Sequence, residues 1–351
     1  MSSRRSLVVA AASGVAALAL TACSTGPTSE ANADPTTTNA SSVDKDAFPT
    51  TIKHAFGETT VSAEPKRVAT VGWNDADVVV SLGVIPVGAT KITWGGNANG
   101  STDWFDAGVA KLDDKAQIAR YDDTAGVPFD DIAQAKPDLI LGVNSGLAKE
   151  DYDKLSKIAP TVAFPGSAWG TSWEDSVKLV GQALGRSTKA TEVTKETNKA
   201  IDDAVAKYPQ IKGKSAAWAW FTPTDLSVVS LYTSHDLRPQ ILRRFGMVDA
   251  PTVATLSKGN AQFSTNLSAE KSSTLAADAL IFYVDDPKQV DTLKAHPLLG
   301  QIPALKTNHY VASADNATAL TMSSPSPLSM PVALEKFLPK IASAVDGTPA
   351  Q

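Results

Sequence analysis

Residues 67–89 have the sequence RVATVGWNDADVVVSLGVIPVGA, and this stretch decides the fold class. The run 67–72 is β-branched and apolar, which predicts a buried strand. Asn74 can N-cap the helix that follows, and Gly83 is placed to end it in the left-handed C′ conformation. Residues 84–89 return to a strand pattern. A strand, a helix and a second strand in this order predict an α/β architecture.

The alternation of strands and helices continues through the rest of the chain. A long helical pattern begins at Ser187 and runs to about Lys207, and at ~1.5 Å per residue it spans about 30 Å, enough to bridge two lobes. We therefore predict two α/β lobes with this single long helix between them. Further strands are predicted at 138–143, 215–221, 226–230, 279–284 and 310–314.

A faint internal repeat supports the prediction of two related lobes. Its copies are residues 129–141 (FDDIAQAKPDLIL) and 268–282 (SAEKSSTLAADALIF). In both copies an acidic residue opens a short helix, and eight residues later an Asp precedes an apolar strand. The alternative is coincidence between two common helix–strand joints. The copies flank the long helix, as two related lobes require.

The N-terminus has the pattern of a processed leader. Arg4 and Arg5 precede an apolar, Ala-rich stretch at 7–20, which is shorter than the ~20 residues that span a bilayer. The tetrapeptide at 20–23, Leu-Thr-Ala-Cys, resembles the bacterial lipobox, in which the Cys carries lipid. Cys23 is the only cysteine in the chain, so it has no internal disulfide partner. An ordinary signal peptide with an incidental cysteine is the alternative interpretation.

Residues after Cys23 are rich in Ser, Thr, Asn and Ala and contain few large apolar side chains. Such a stretch cannot offset its ordering entropy, which predicts a flexible tether. The predicted organisation is a lipoprotein signal peptide (1–22), a lipid-anchored tether (23–47), an N-terminal lobe (48–186), a connecting helix (187–208) and a C-terminal lobe (209–351). This places the protein outside the cytoplasm, on the outer face of the cell membrane.

Composition and motifs exclude several other functions. The formal net charge is −5 and no long run of Lys and Arg occurs, so no nucleic-acid partner is expected. The chain lacks a His-Glu-x-x-His motif, a Gly-x-Ser-x-Gly elbow and a phosphate-binding loop. Its four histidines are scattered without metal-ligand spacing, so no direct metal site is predicted. We expect a binding protein, with a secreted hydrolase as the alternative of another class.

Several segments, in this order and spacing, resemble the periplasmic-binding-protein family that serves siderophore, haem and vitamin B12 importers. They are 63–70 (AEPKRVAT), 82–88 (LGVIPVG), 131–140 (DIAQAKPDLI), 296–298 (HPL), 302–306 (IPALK) and 328–331 (LSMP). The resemblance covers roughly residues 50–345 and is greatest to the ferric-siderophore branch. It implies two Rossmann-like α/β lobes joined by a single long rigid helix, with a ligand cleft between the lobes. It also implies an ABC importer as partner, a monomer and no intrinsic cofactor. Haem and cobalamin remain alternative ligands.

Aromatic residues dominate the predicted ligand site. Rigid rings supply wall area for a bulky ferric chelate at low entropic cost. Trp173, Tyr208 and Trp218 are expected in the core instead. The candidates for the pocket are Trp73, Trp94, Trp104, Tyr121, Trp220, Tyr232 and Phe263.

Arginine is scarce near these candidate residues, with Arg120 and Arg238 the exceptions. A ferric tris-catecholate carries about three negative charges and favours an Arg cluster. The aromatic, Arg-poor composition therefore favours a ferric hydroxamate. Arg238 is the charged ligand-binding candidate, although it also opens a predicted helix and could be structural.

The resemblance also implies a docking acid on each lobe. Asp130, or its neighbour Asp131, and Glu270 align with acidic residues that meet arginines of the importer. The alternative is that these carboxylates are ordinary first-turn residues, which the helix dipole favours.

Overall fold

The computed structural model describes residues 43–351. The predicted signal peptide, the lipidation site at Cys23 and most of the predicted tether lie outside the described residues. Within 43–351, none of the helices combines the length and the apolar character that crossing a bilayer requires.

The N-terminal lobe is an α/β sandwich built on a parallel sheet. Its strands are β1 (Thr50–His54) and β2 (Gly57–Val61), which form a separate antiparallel hairpin, and β3 (Val68–Thr70), β4 (Gly88–Thr90), β5 (Ala119–Tyr121), β6 (Leu139–Gly142) and β7 (Thr161–Ala163). The five-stranded sheet has the order β5-β4-β3-β6-β7. Counted within the lobe this is 3-2-1-4-5, the Rossmann order, so β3 and β6 flank the switch point where ligands bind.

Helices cover this sheet and lead out of the lobe. They are α1 (Asp75–Ser81), α2 (Asp103–Leu112), α3 (Phe129–Gln134), α4 (Lys149–Leu155), α5 (Trp173–Ala183) and α6 (Ser187–Val205). The last of them, α6, forms where the long connecting helix is predicted. Its buried residues Ala190, Val193, Thr197 and Ile201 recur every three or four positions, so one face packs and the other meets solvent.

The C-terminal lobe has a mixed sheet of order β11-β9-β8-β12-β13, with β10 also paired to β8. The strands are β8 (Ser215–Thr222), β9 (Asp225–Tyr232), β10 (Val248–Asp249), β11 (Ser264–Ser268), β12 (Ala279–Tyr283) and β13 (Tyr310–Ser313). The helices are α7 (Leu237–Arg244), α8 (Pro251–Ser257), α9 (Gln289–Ala295), α10 (Pro303–Lys306), α11 (Asn316–Ser323), α12 (Met330–Val332) and α13 (Leu338–Val345). A π-helical stretch, Ala333–Phe337, joins α12 to α13. The α/β fold class predicted from the sequence is confirmed.

The internal repeat has a structural counterpart at the start of β3 in the first lobe and at the start of β8 in the second. The Asp138 carboxylate accepts the backbone N–H groups of Lys66 (2.8 Å) and Arg67 (2.9 Å), just before β3. In the second lobe, Asp278 accepts the backbone N–H (2.8 Å) and the hydroxyl (2.7 Å) of Ser215, the first residue of β8. The repeated Asp therefore has the same structural role in both lobes. It holds together the amino ends of two adjacent parallel strands, β3 and β6 in the first lobe and β8 and β12 in the second.

A loop between α11 and α12 ties the two lobes together beside α6. Asn74 Nδ2 donates to the carbonyl of Pro325 at 2.9 Å. The Ser326 hydroxyl donates to Asp77, a residue of α1, at 2.6 Å. One continuous apolar cluster also includes Leu139 from the first sheet and Trp218 from the second. These contacts join residues that are distant in sequence and hold the two lobes together.

Candidate functional site

Two adjoining cavities lie between the carboxyl ends of strands from the two sheets. One has a volume of about 340 Å³ and the other of about 260 Å³. Trp73, Tyr232 and Arg238 line both cavities, so the two form one site, the cleft. The larger cavity is also lined by Trp94, Trp220, Phe221, Pro223, Tyr283, Val284, Asp285, Gln289 and Asn316, and the smaller by Asn144, Trp169, Asp236, Leu237, Phe263 and Ser323.

Trp73 lies on the short loop between β3 and α1, at the switch point of the first sheet. Its backbone N–H donates to the backbone carbonyl of Asn144, which follows β6, at 3.1 Å. The buried Asp75 carboxylate accepts the N–H groups of Val143 (2.7 Å) and Asn144 (3.1 Å), which ties the two loops together. Burial raises the pKa of Asp75 to about 6, and these donors oppose the rise. The Trp73 side chain stays 38% exposed and is available to a ligand.

Trp94 follows β4 and meets the second lobe. Its ring packs edge-on against Tyr283 with the centroids 5.3 Å apart. Gly95 adopts a φ of +71° that favours glycine, and a Cβ there would lie 2.5 Å from the carbonyl oxygen of Asn316. The glycine therefore permits the close approach of this loop to α11, which places Trp94 on the wall of the cleft.

The guanidinium of Arg238, at the beginning of α7, is fixed by hydrogen bonds and by an aromatic ring. Its Nη1 donates to both carboxylate oxygens of Asp236, at 3.0 and 2.9 Å, and its Nε donates to the Tyr283 hydroxyl at 2.7 Å. The guanidinium carbon lies 3.8 Å from the centroid of the Tyr232 ring, a cation–π contact. Burial acts to lower the pKa of Arg238, but Tyr283 and Asp236 outweigh it and raise that pKa. Arg238 is thus both structural and part of the cleft lining.

Three more aromatic residues of the second lobe complete the walls. Trp220 on β8 and Tyr232 at the end of β9 have their ring centroids 4.8 Å apart. Phe263 precedes β11 and is 36% exposed. The cleft therefore combines large aromatic surfaces with polar side chains that can orient a ligand, the composition that suits a bulky organic ligand.

The described part of the chain contains no preformed metal-binding site. Within residues 43–351 no group of three or more His, Cys, Asp or Glu side chains is placed to hold a metal ion. His54, the buried one, contacts Thr59 and Tyr152 inside the first lobe, and burial lowers its pKa.

The sequence profile of the periplasmic binding proteins matches residues 68–317, which includes most of both lobes. The chain belongs to the periplasmic binding protein family. The resemblance inferred from short segments is confirmed, and with it the expectation that the fold serves substrate binding.

Several relatives and solved structures that are similar to this binding protein have names that concern iron or siderophores. The crystal structure of PiaA from Streptococcus pneumoniae TIGR4 in complex with ferrichrome is 34% identical, with a TM-score of 0.80, and covers 85% of this chain and 99% of that one. The probable siderophore-binding lipoprotein YfiY of Bacillus subtilis is 33% identical over 154 residues, so the match spans only 44% of either chain. The Fe(3+)-citrate-binding protein YfmC of Bacillus subtilis is 28% identical over 75% of this chain and 77% of that one.

Two predicted ligand residues lie elsewhere in the binding protein. Tyr121 is 1% exposed, and its phenol lies over Gly88, where a Cβ would be 1.7 Å from the hydroxyl oxygen. Trp104 is on α2, and its Nε1 donates to Asp77 at 2.8 Å. Both rings are used in packing within the first lobe, and neither lines the two cavities of the cleft. Trp73, Trp94, Trp220, Tyr232, Phe263 and Arg238 do meet in the cleft.

Sequence reasoning missed Trp169, Asn144 and Tyr283, which line the cleft. Asn144 directly follows the predicted strand 138–143, so the rule that ligands bind beyond strand ends could have identified it. Trp169 lies in a loop and has a φ of +60°, which no local pattern signals. Its ring packs edge-on against Trp73 with centroids 5.8 Å apart.

The predicted docking acids are exposed and occupy equivalent places in the two lobes. Asp130 and Asp131 open α3, and Glu270 lies in the first turn of the 3₁₀ helix Ala269–Thr274. None of them lines the cleft. They are therefore free to contact another molecule without touching the ligand.

Proposed function

We propose that this protein captures a ferric siderophore outside the cytoplasm and delivers it to an ABC importer, with a hydroxamate-type complex as its preferred ligand. The observation that carries the proposal is the cleft itself, whose aromatic walls enclose a single arginine that is already paired with Asp236. The solved PiaA structure with ferrichrome, at a TM-score of 0.80, supports the same ligand class.

Charge favours a hydroxamate over a catecholate ligand. Three hydroxamates neutralise Fe³⁺, whereas a ferric tris-catecholate keeps a net charge of about −3, for which a protein supplies several cations. Of the charged groups that line the cleft, Arg238 is positive while Asp236 and Asp285 are negative. These charges sum to −1, so a complex of charge −3 is repelled by the lining and a neutral complex is not.

The test is a titration followed by intrinsic tryptophan fluorescence, because Trp73, Trp94, Trp169 and Trp220 line the cleft. The panel contains ferric hydroxamate, catecholate and citrate complexes, haem and cobalamin. Saturable quenching at one site per chain, tightest for the hydroxamate, is the expected result. Tighter binding of haem or cobalamin, or turnover of a generic ester without quenching, would overturn the proposal.

The cleft tryptophans should contribute to affinity and the core tryptophan to stability. Trp73→Ala and Trp94→Ala should each weaken binding by about 1–3 kcal/mol, because each removes a ring that contacts ligand. Trp218 is fully buried and stacks on Phe337 at 5.3 Å, so Trp218→Ala should cost ~3–5 kcal/mol of the free energy of unfolding. Calorimetric titration and thermal melts of the three variants check this. Unchanged affinity with a large loss of melting temperature in the Trp73 variant would show that its ring is structural.

Gly146 should matter for affinity through Trp169. A Cβ at Gly146 would lie 2.2 Å from Trp169 Nε1, so Gly146→Ala should displace that ring from the cleft and weaken binding by about 1–2 kcal/mol. Gly166→Ala is the matched control, since a Cβ there meets nothing within 4 Å. The effect should vanish in a Trp169→Ala background, because the two changes act on the same ring. Equal effects of Gly146→Ala with and without Trp169 would contradict this coupling.

The anchor, the importer and the monomeric state belong to the same proposal. Cys23 would carry the lipid, residues 23–47 would act as the tether, and the two lobes with their helix would remain at the outer face of the membrane. Asp130, Asp131 and Glu270 would bind importer arginines. Cys23 lies outside the described residues, so the proposal that it carries lipid is supported by the sequence pattern around it.

A further inference from the structure

Asp236 occupies an unusual position for an acidic residue. It lines the smaller cavity yet is only 3% exposed, and its carboxylate N-caps α7 by accepting the N–H of Arg238 at 2.8 Å. The same carboxylate accepts two hydrogen bonds from Arg238 Nη1. Burial raises the pKa of Asp236, and the adjacent guanidinium opposes that rise. The result is an ion pair whose members both belong to the ligand site.

This pair determines the net charge that a ligand meets. Three charged side chains line the two cavities among the described residues: Arg238 (+1), Asp236 (−1) and Asp285 (−1), which sum to −1. Without Asp236 the sum would be 0, and the buried guanidinium of Arg238 would lose the carboxylate that lies 2.9 Å from it. Because Asp236 is 3% exposed and Arg238 is 8% exposed, their charges are screened less than charges at the surface.

We propose that Asp236 determines the charge selectivity of the cleft, cancelling Arg238 so that anionic ferric complexes are rejected and neutral or cationic ones are accepted. This rests on the proposed function, because it assigns the ligand class of the same site. Asp236 acts through Arg238 and through the field in the cleft, and needs no contact with the ligand.

Asp236→Asn is the variant that isolates this role. Asn is as good an N-cap as Asp, and its amide oxygen can still accept the N–H of Arg238, while the charge is lost. Asp315→Asn is the matched control, since Asp315 also N-caps a helix of the second lobe, accepting the N–H of Thr318 at 3.0 Å, but lines neither cavity. If Asp236→Asn does not fold, Asp236→Ser keeps the cap and also removes the charge.

The measurement is the ratio of two dissociation constants, one for a neutral ferric trihydroxamate and one for a trianionic ferric tris-catecholate, at low and high salt. In Asp236→Asn the preference for the neutral complex should shrink by about tenfold or more, because a −3 ligand gains attraction that a neutral one does not. Added salt should reduce this change. Asp315→Asn should keep the wild-type ratio.

The double variant Asp236→Asn with Arg238→Gln is a second readout. It removes both charges and restores the original balance, so its ratio should return toward the wild-type value even though overall affinity falls. A folded Asp236→Asn or Asp236→Ser protein with the wild-type ratio would overturn the role of Asp236. Failure of the wild-type protein to bind either complex would instead overturn the proposed function, so the two failures are distinguishable.

Discussion

Reversing the charge of the predicted docking acids should abolish iron uptake while leaving ligand affinity unaltered. The variant combines Asp130→Lys, Asp131→Lys and Glu270→Lys. All three side chains are exposed, and they open short helices placed equivalently in the two lobes. Charge pairs at the exposed edge of a protein–protein interface govern recognition and association rate, and like charges that face each other across the interface are strongly unfavourable. The variant should therefore bind its ligand normally but fail to meet the importer.

Uptake of a radioactive ferric hydroxamate into cells, with affinity measured on the purified protein, checks this result. The control is Glu150→Lys with Asp291→Lys, because these exposed acids also lie in the first turns of helices, one in each lobe. The control should transport iron at the wild-type rate. Normal uptake by the triple variant would exclude these acids as the docking residues.

Cys23→Ala should move the whole protein out of the membrane fraction. Cys23 follows Leu-Thr-Ala and is the only cysteine in the chain, so acylation depends on it alone. Each buried methylene of an acyl chain contributes ~0.8 kcal/mol, and several chains together hold a protein firmly at a bilayer. Loss of the thiol should remove this attachment completely.

Fractionation with a radioactive fatty-acid label measures the effect of Cys23→Ala. Ser24→Ala, at the next position, keeps the thiol and should remain labelled and membrane-bound. A Cys23→Ala protein that retains both the label and its membrane location would contradict the lipobox assignment.

The parts of the fold that follow from local pattern could be predicted from the sequence. The helix expected after Asn74 forms as Asp75–Ser81, and the strand expected at 215–221 forms as Ser215–Thr222. Trp73 could be placed in the site because a residue that directly follows a buried parallel strand lies at the ligand-binding edge of the sheet. In these cases the period of the apolar residues and a single topological rule are sufficient.

The placements that could not be predicted from the sequence depend on side-chain contacts that a local pattern does not reveal. Tyr121 also ends a strand, but its ring turns onto Gly88 of the neighbouring strand, and the pattern around residue 121 does not reveal that space. Trp169 reaches the cleft because Gly146 leaves room for its indole. The pairing of Arg238 with Asp236 could not be predicted either, because residues two positions apart do not face each other within a helix and the contact depends on Asp236 lying at the N-cap of α7.

The central claim is that the cleft binds the siderophore. Anomalous scattering from iron in crystals grown with a ferric trihydroxamate tests it most directly, because the signal locates the iron atom even before the organic ligand is fitted to the electron density. A single iron peak in the cleft, between Trp73 and Arg238, is the predicted result. The groove between α5 and α6, of about 610 Å³, is the largest alternative cavity among the described pockets. An iron peak in that groove, or none in the cleft of a saturated protein, would contradict the assignment of the cleft as the siderophore site.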